Sequence, residues 1–127
     1  MKYVALIFLT LIIISCEKYD EEILPVVGVY EANVVGVSGP FSISVSSDRG
    51  NRILIDAPWD GENWAVLEAR IRNEHEWDKD IVIREQWLAD GVTLVGEGIF
   101  FDYSIQLDYI IWIDNIRHDF TIVGTKL

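Results

Sequence analysis

Cysteine is almost missing from this chain: 127 residues contain one, Cys16. An internal disulfide framework and a cysteine-built zinc cluster are therefore excluded. Histidine is nearly as scarce, with His75 and His118 the only two. They do not stand at the H-x-x-x-H spacing of a helical metal site, and no Gly-x-Ser-x-Gly nucleophile elbow occurs. No motif of a hydrolase triad or a zinc hydrolase is present, so an enzyme is not expected. Basic residues are few as well. Ten Lys and Arg stand against 21 Asp and Glu, a formal charge of −11, where nucleic-acid binding would need a basic face. The length allows one domain with one core. Beyond residue 24 no apolar i, i+3, i+4, i+7 pattern persists for three turns, which removes helical bundles from consideration.

What the chain does have begins at its N-terminus. Lys2 is the only charge before Glu17, and Tyr3 to Ile14 is apolar apart from Thr10. That run is short for a membrane-spanning helix, which takes about 20 residues. A basic start, an apolar stretch and then small residues read as a signal peptide over residues 1–15. The end of the stretch, Ile13-Ile14-Ser15-Cys16, resembles the lipobox of bacterial lipoproteins. That resemblance implies cleavage before Cys16 and lipid attachment to its thiol. Acyl chains contribute about 0.8 kcal/mol for each buried CH₂ group, and several chains anchor a domain stably. Loss of Lys2 with the leader takes the formal charge from −11 to −12.

Residues 16–25 form a short charged tether. Glu17-Lys18-Tyr19-Asp20-Glu21-Glu22 is similar to the acidic export signal that follows the lipidated cysteine in surface lipoproteins of Bacteroidetes-type bacteria. The resemblance implies an outer-membrane, surface-exposed location; a periplasm-facing one is the alternative.

Residues 26–127 carry period-2 patterns throughout. Phe41, Ile43 and Val45 share one face of a strand and Ser42, Ser44 and Ser46 the other. Ile105, Leu107, Tyr109, Ile111 and Ile113 make a second stripe. Ser104, Gln106, Asp108 and Asp114 lie opposite, interrupted by Ile110 and Trp112. Turn residues separate the runs: Ser38-Gly39-Pro40, Ser47 to Asn51, Asp60 to Asn63, Ala89-Asp90-Gly91 and Asp114-Asn115. Strands are predicted near 26–37, 41–47, 52–57, 64–72, 80–87, 92–100, 103–113 and 118–125. The stretch 64–72 is the most helix-prone of these. Eight consecutive strands with short loops predict an all-β fold, an antiparallel up-and-down eight-stranded β-barrel, because closure removes the sheet edges. A two-sheet β-sandwich is the alternative.

Val27-Gly28-Val29-Tyr30 resembles the Gly-x-aromatic start of lipocalin-like barrels. Phe120 to Lys126 resembles the closing strand of small calycin-like domains of Bacteroidetes-type lipoproteins, and Gly96-Glu97-Gly98 adds to the likeness. The resemblance implies an interior ligand, but eight strands enclose a space that side chains can fill. Phe41, Ile43, Val45, Ile53, Ile55, Leu107, Tyr109 and Ile111 are the inward candidates, so a filled barrel is expected, with no deep pocket.

The acidic loops Asp56–Asn63 and Glu74–Asp80 lack the EF-hand order and read as solvated charge; no metal and no cofactor is assigned. The five tryptophans are the larger excess. Trp59, Trp64 and Trp77 would form a sugar-stacking platform if loops bring them together; otherwise they cap the core. Ile110 and Trp112 on an outward face would mark a protein contact surface. The function expected is a membrane-anchored, non-enzymatic binding module for a glycan or an envelope protein. The alternatives are an accessory structural subunit, an immunity-type inhibitor of a basic partner, or a binder of a small apolar ligand.

Overall fold

The computed structural model describes residues 18–127. Cys16 and the leader lie outside the described residues. A 3₁₀ turn, Glu21–Ile23, precedes eight strands: β1 Gly28–Val34, β2 Ser38–Ser47, β3 Arg52–Pro58, β4 Trp64–Ile71, β5 Lys79–Ala89, β6 Val92–Phe101, β7 Ser104–Ile113 and β8 Ile116–Lys126. Each pairs antiparallel with the next, and β1 pairs with β8 from Tyr30↔Lys126 to Val34↔Ile122. The result is a closed up-and-down barrel of the lipocalin-like kind, not a sandwich. The helix-prone stretch 64–71 is a strand, because its alternate residues Leu67, Ala69 and Ile71 are buried in the barrel.

The expected core is the observed one. Ile43, Val45, Ile53, Ile55, Leu107, Tyr109 and Ile111 are buried, and Phe41 packs against them partly covered. At roughly 25 cal/mol per Å² of apolar surface, this filled interior is the main stabilising term. Gly96 and Gly98 explain why β6 and β7 curl tightly. A Cβ on Gly96 would lie 2.4 Å from the Tyr109 Cβ, and one on Gly98 2.4 Å from the Gln106 carbonyl oxygen. A side chain at either position would force the two strands apart.

Two boundaries differ from expectation. β1 ends at Val34, not near residue 37, and Ser38-Gly39-Pro40 is not the turn but the start of β2. The turn is Val35-Gly36-Val37, closed by the Val37 amide donating to the Val34 carbonyl at 3.0 Å, with Gly36 at φ 72°. The strand register at Val34↔Ser38 leaves only those residues for the loop, and a bulge between Ala32 and Val34 absorbs the irregular Gly39-Pro40 pair. Ile113 was expected to continue the inward stripe, but it is exposed. The β7–β8 hairpin overhangs the barrel there, and Asp114 and Asn115 turn it with φ of 49° and 66°.

The barrel has two ends of different construction. The N-terminal segment meets the barrel at the end where β1 begins. There the loops 48–51, 72–78 and 102–103 also lie. The Asp20 amide donates to the Gly50 carbonyl at 2.8 Å, the Gly50 amide donates to the Lys18 carbonyl at 3.1 Å, and Ile23 and Val26 are buried. The chain itself therefore stoppers this end. The Tyr30 hydroxyl donates to the Val26 carbonyl, and burial pushes the phenol pKa well above its ordinary value. The Lys79 ammonium, itself buried, donates to the carbonyls of Glu74, at 2.7 Å, and Glu76. A lysine is buried here because loop oxygens replace its water shell.

Candidate functional site

The far end, formed by loops 35–37, 59–63, 90–91 and 114–115, is closed by one side chain. Trp59 is 1% exposed. Its indole Nε1 donates to the Ala65 carbonyl at 2.8 Å. The Tyr109 ring meets it edge-on at 5.1 Å, and Phe120 stacks on Tyr109 at 5.8 Å. The Tyr109 hydroxyl donates to the Trp59 carbonyl; burial first, and the Asp60 charge second, raise its pKa.

The turn after Trp59 is organised by Asp60. Its carboxylate accepts from the Glu62 amide at 2.9 Å, the Asn63 amide at 2.6 Å and the Asn63 side chain at 2.7 Å. Partial burial raises the Asp60 pKa, but these hydrogen bonds outweigh it and hold the carboxyl below its ordinary value. Both Asp60 carboxylate oxygens thus accept from the loop itself.

The three loop tryptophans do not form one platform. Trp59 is inside. Trp64 is exposed at the far end, where Phe41 meets it edge-on at 5.9 Å. Trp77 is exposed in the loop 72–78, at the opposite end of the barrel. The spacing in sequence hid this separation, because β4 carries the chain from one end to the other between Trp64 and Trp77.

Ile110 and Trp112 do share the outer face of β7, and the register adds neighbours to them. Trp87 pairs with Thr93, Thr93 with Trp112, and Trp112 with Arg117. Paired residues point to the same side of a sheet. Trp87 and Trp112 are thus flank neighbours on either side of Thr93, two strand spacings or about 10 Å apart. The next outward row on these strands is Val95, Ile110 and Asp119. Trp87 is 73% exposed, the most open of the five indoles. Below this patch an open groove of about 480 Å³ runs over β6–β8. Val95 and Ile110 give it apolar surface, and Glu97, Asp108, Arg117 and Asp119 give it charge. Arg117 and Asp119 are paired at 3.0 Å, and the Thr121 hydroxyl donates to Asp108 at 2.8 Å. Trp87 was not singled out from the sequence, since only the register of β5 against β6 places it beside Trp112.

No family model, curated protein or solved structure matches this chain.

A second cluster sits at the opposite end, where His75 Nδ1 is 3.1 Å from Glu22 Oε1. Ligand atoms of Glu22, Glu74 and His75 lie within 4.8 Å of one another, a geometry that would accept a cation. One Glu74 oxygen is shielded from solvent and has no partner. Desolvation, the hydrogen bond with Asp20 and the charges of Asp20 and Glu22 raise the Glu74 pKa, against a smaller opposing effect of His75. The cluster joins the N-terminal segment to the β4–β5 loop. The other histidine, His118, lies near the start of β8 at the far end.

Proposed function

We propose that this protein is a lipid-anchored binding module of the bacterial outer membrane, held by Cys16 and presented at the cell surface. Its β5–β8 outer face docks on an envelope protein. The observation that carries this reading is the row Trp87–Thr93–Trp112, with Ile110 beside it, on a face that no other element of the described chain covers. Exposed apolar clusters rimmed by charge mark contact surfaces, and indoles are enriched in their energetic centres. The tether enters at the opposite end of the barrel, so this patch faces away from an anchored N-terminus. The interior is filled by the core side chains, which disfavours a small apolar ligand within the barrel.

The test is in two parts. Radiolabelled acyl incorporation should be lost on Cys16→Ser. Cross-linking in intact cells should give one defined envelope adduct, lost on Trp87→Ser with Trp112→Ser, while the circular dichroism spectrum and melting temperature hold. An adduct that survives the double substitution refutes the docking face. A second reading is a glycan partner, favoured by the groove in which Glu97, Asp108 and Asp119 adjoin the patch. In that case tryptophan emission shifts on titration with a defined oligosaccharide and the shift is lost in Trp112→Ser.

A further inference from the structure

The barrel is closed, but its wall is not equally strong all round. The ladder between β4 and β5 consists of two register pairs, Arg70↔Val82 and Ile71↔Ile81. β4 runs on from Ala69 to Trp64 with no register partner on its β5 side. Every residue of that run is paired with β3 on the other side, so the strand is regular. β5 is not, since its register to β6 shifts between Ile83 and Gln86 and again between Trp87 and Ala89. Bulges of this kind spoil a strand as a pairing edge. The exposed edge is therefore that of β4.

One side chain bridges the start of the seam. Gln86 Oε1 accepts from the Glu68 amide at 3.0 Å, and Gln86 Nε2 donates to the Glu68 carbonyl at 2.7 Å. A side-chain amide here stands in for the peptide group of a missing neighbour strand. It also fixes which backbone groups face the seam. Alternate residues of a strand direct their N–H and C=O the same way, so those of Val66 and Trp64 point into the seam with those of Glu68. The side chains of Trp64 and Val66 are exposed, and no charge guards the edge between residues 64 and 67. Natural edges are normally blunted by lysine, proline or a bulge.

The seam is also a basic spot on an acidic protein. Arg52, Arg70 and Arg84 line a groove of about 250 Å³ at its Gln86-bridged start, with Glu68 the one acid in the lining. Arg52 pairs with Glu68 at 3.1 Å, which leaves the charge of Arg70 and Arg84 for a partner. A second copy pairing edge to edge would bring its own Arg70 and Arg84 against these two and be repelled there, whereas an acidic segment is attracted.

We infer that the β4 edge at Trp64–Leu67 accepts an extended, acidic segment of a partner protein as an added strand, its backbone pairing with Val66 and Trp64 and its carboxylates meeting Arg70 and Arg84. Strand addition takes affinity from main-chain hydrogen bonds and specificity from alternate side chains. The inference deepens the reading of the barrel as a protein-docking module and rests on it.

The probe is a synthetic octapeptide alternating valine and glutamate, added to the full-length protein in detergent. It should shift the backbone amide resonances of Trp64 and Val66. Methylating alternate amide nitrogens of the peptide should weaken binding at least tenfold, a change of about 1.4 kcal/mol. Replacing its glutamates by lysine should do the same. Arg70→Glu with Arg84→Glu should lower affinity for the glutamate peptide and raise it for the lysine peptide, a reversal that unfolding cannot produce. Equal binding of the methylated peptide, no binding of the glutamate peptide, or unmoved Trp64 and Val66 resonances each overturn the inference. So does concentration-dependent dimerisation that protects these amides, because the occupant is then a second copy. Ile110→Ser with Trp112→Ser, both on β7, should leave peptide affinity unchanged, so failure of the β5–β8 docking face is read separately.

Discussion

The two ends of the barrel are stoppered by different means. At the tethered end the plug is backbone: the segment from Lys18 to Val26 lies across the opening, with Ile23 and Val26 buried and its peptide groups bonded to Gly50. At the far end the plug is one indole, Trp59, held by a hydrogen bond to Ala65 and by the edge-on ring of Tyr109, on which Phe120 stacks. A backbone plug uses many small contacts and ties the entering chain to the fold. A side-chain plug concentrates them in one residue and leaves the surrounding rim free. The free rim is where Trp64, Trp87, Trp112, Ile113 and Ile116 are exposed. The contrast separates the end at which the chain enters from a rim that keeps large apolar side chains exposed.

Four substitutions sharpen that contrast. Trp59→Ala should have the largest effect, destabilising by about 4 kcal/mol through loss of the plug and the void it leaves. Chemical denaturation measures it, and acrylamide quenching should show Tyr109, buried in the parent, opening to solvent. Ile23→Ala should cost about 3 kcal/mol by the same cavity logic, spread over a plug with other contacts. Hydrogen exchange should then rise in residues 18–26 and around Gly50 while the far end stays protected. If both variants loosen both ends equally, the ends are not independent units.

The two remaining predictions are electrostatic and of opposite sign. Asp60→Ala should destabilise by about 1 kcal/mol at pH 7, since its carboxylate accepts three hydrogen bonds in the turn. The folded pKa is below the ordinary 3.8, so the ionised form favours folding. That stabilisation is present above pH 3.8 and is lost as the pH falls through the folded value, where variant and parent should converge. Glu74→Gln should do the reverse. Its folded pKa is above the ordinary 4.5, so ionisation opposes folding. The protonated carboxyl favours folding below pH 4.5, and that gain is lost as pH rises through the raised value. The glutamine variant should therefore be the more stable at pH 7, by less than about 1 kcal/mol, and match the parent at low pH. Melting temperatures across pH 3 to 8 check both predictions.

Much of the fold was legible in the residues. The serine-alternated run Phe41–Ser46 and the stripe Ile105–Ile111 each state which side faces the core, because side-chain direction in a strand has period 2 and needs no tertiary knowledge. Asp114-Asn115 marked a two-residue hairpin for an equally local reason. Ser38-Gly39-Pro40 misled because turn-prone residues also suit the irregular start of a bulged strand, and only the pairing of Val34 with Ser38 settles the loop. The candidate site was half legible. Ile110 and Trp112 stood out as apolar residues on a polar face, whereas Trp87 joins them only through the register of β5, β6 and β7.

The tryptophans divide along the same line. Sequence alone determined that five indoles sit in an all-β domain of eight predicted strands, two of them with a clear inward stripe, and that one cysteine stands ahead of them. Only the tertiary structure decided that Trp59 is a plug, that Trp64 and Trp77 lie at opposite ends, that Trp87 and Trp112 share a row, and that β4 and β5 part beyond Ala69. The physical reason is range. Which face a residue takes depends on its nearest neighbours in the chain, but who stands beside it depends on closure and register, set by contacts between strands far apart in sequence.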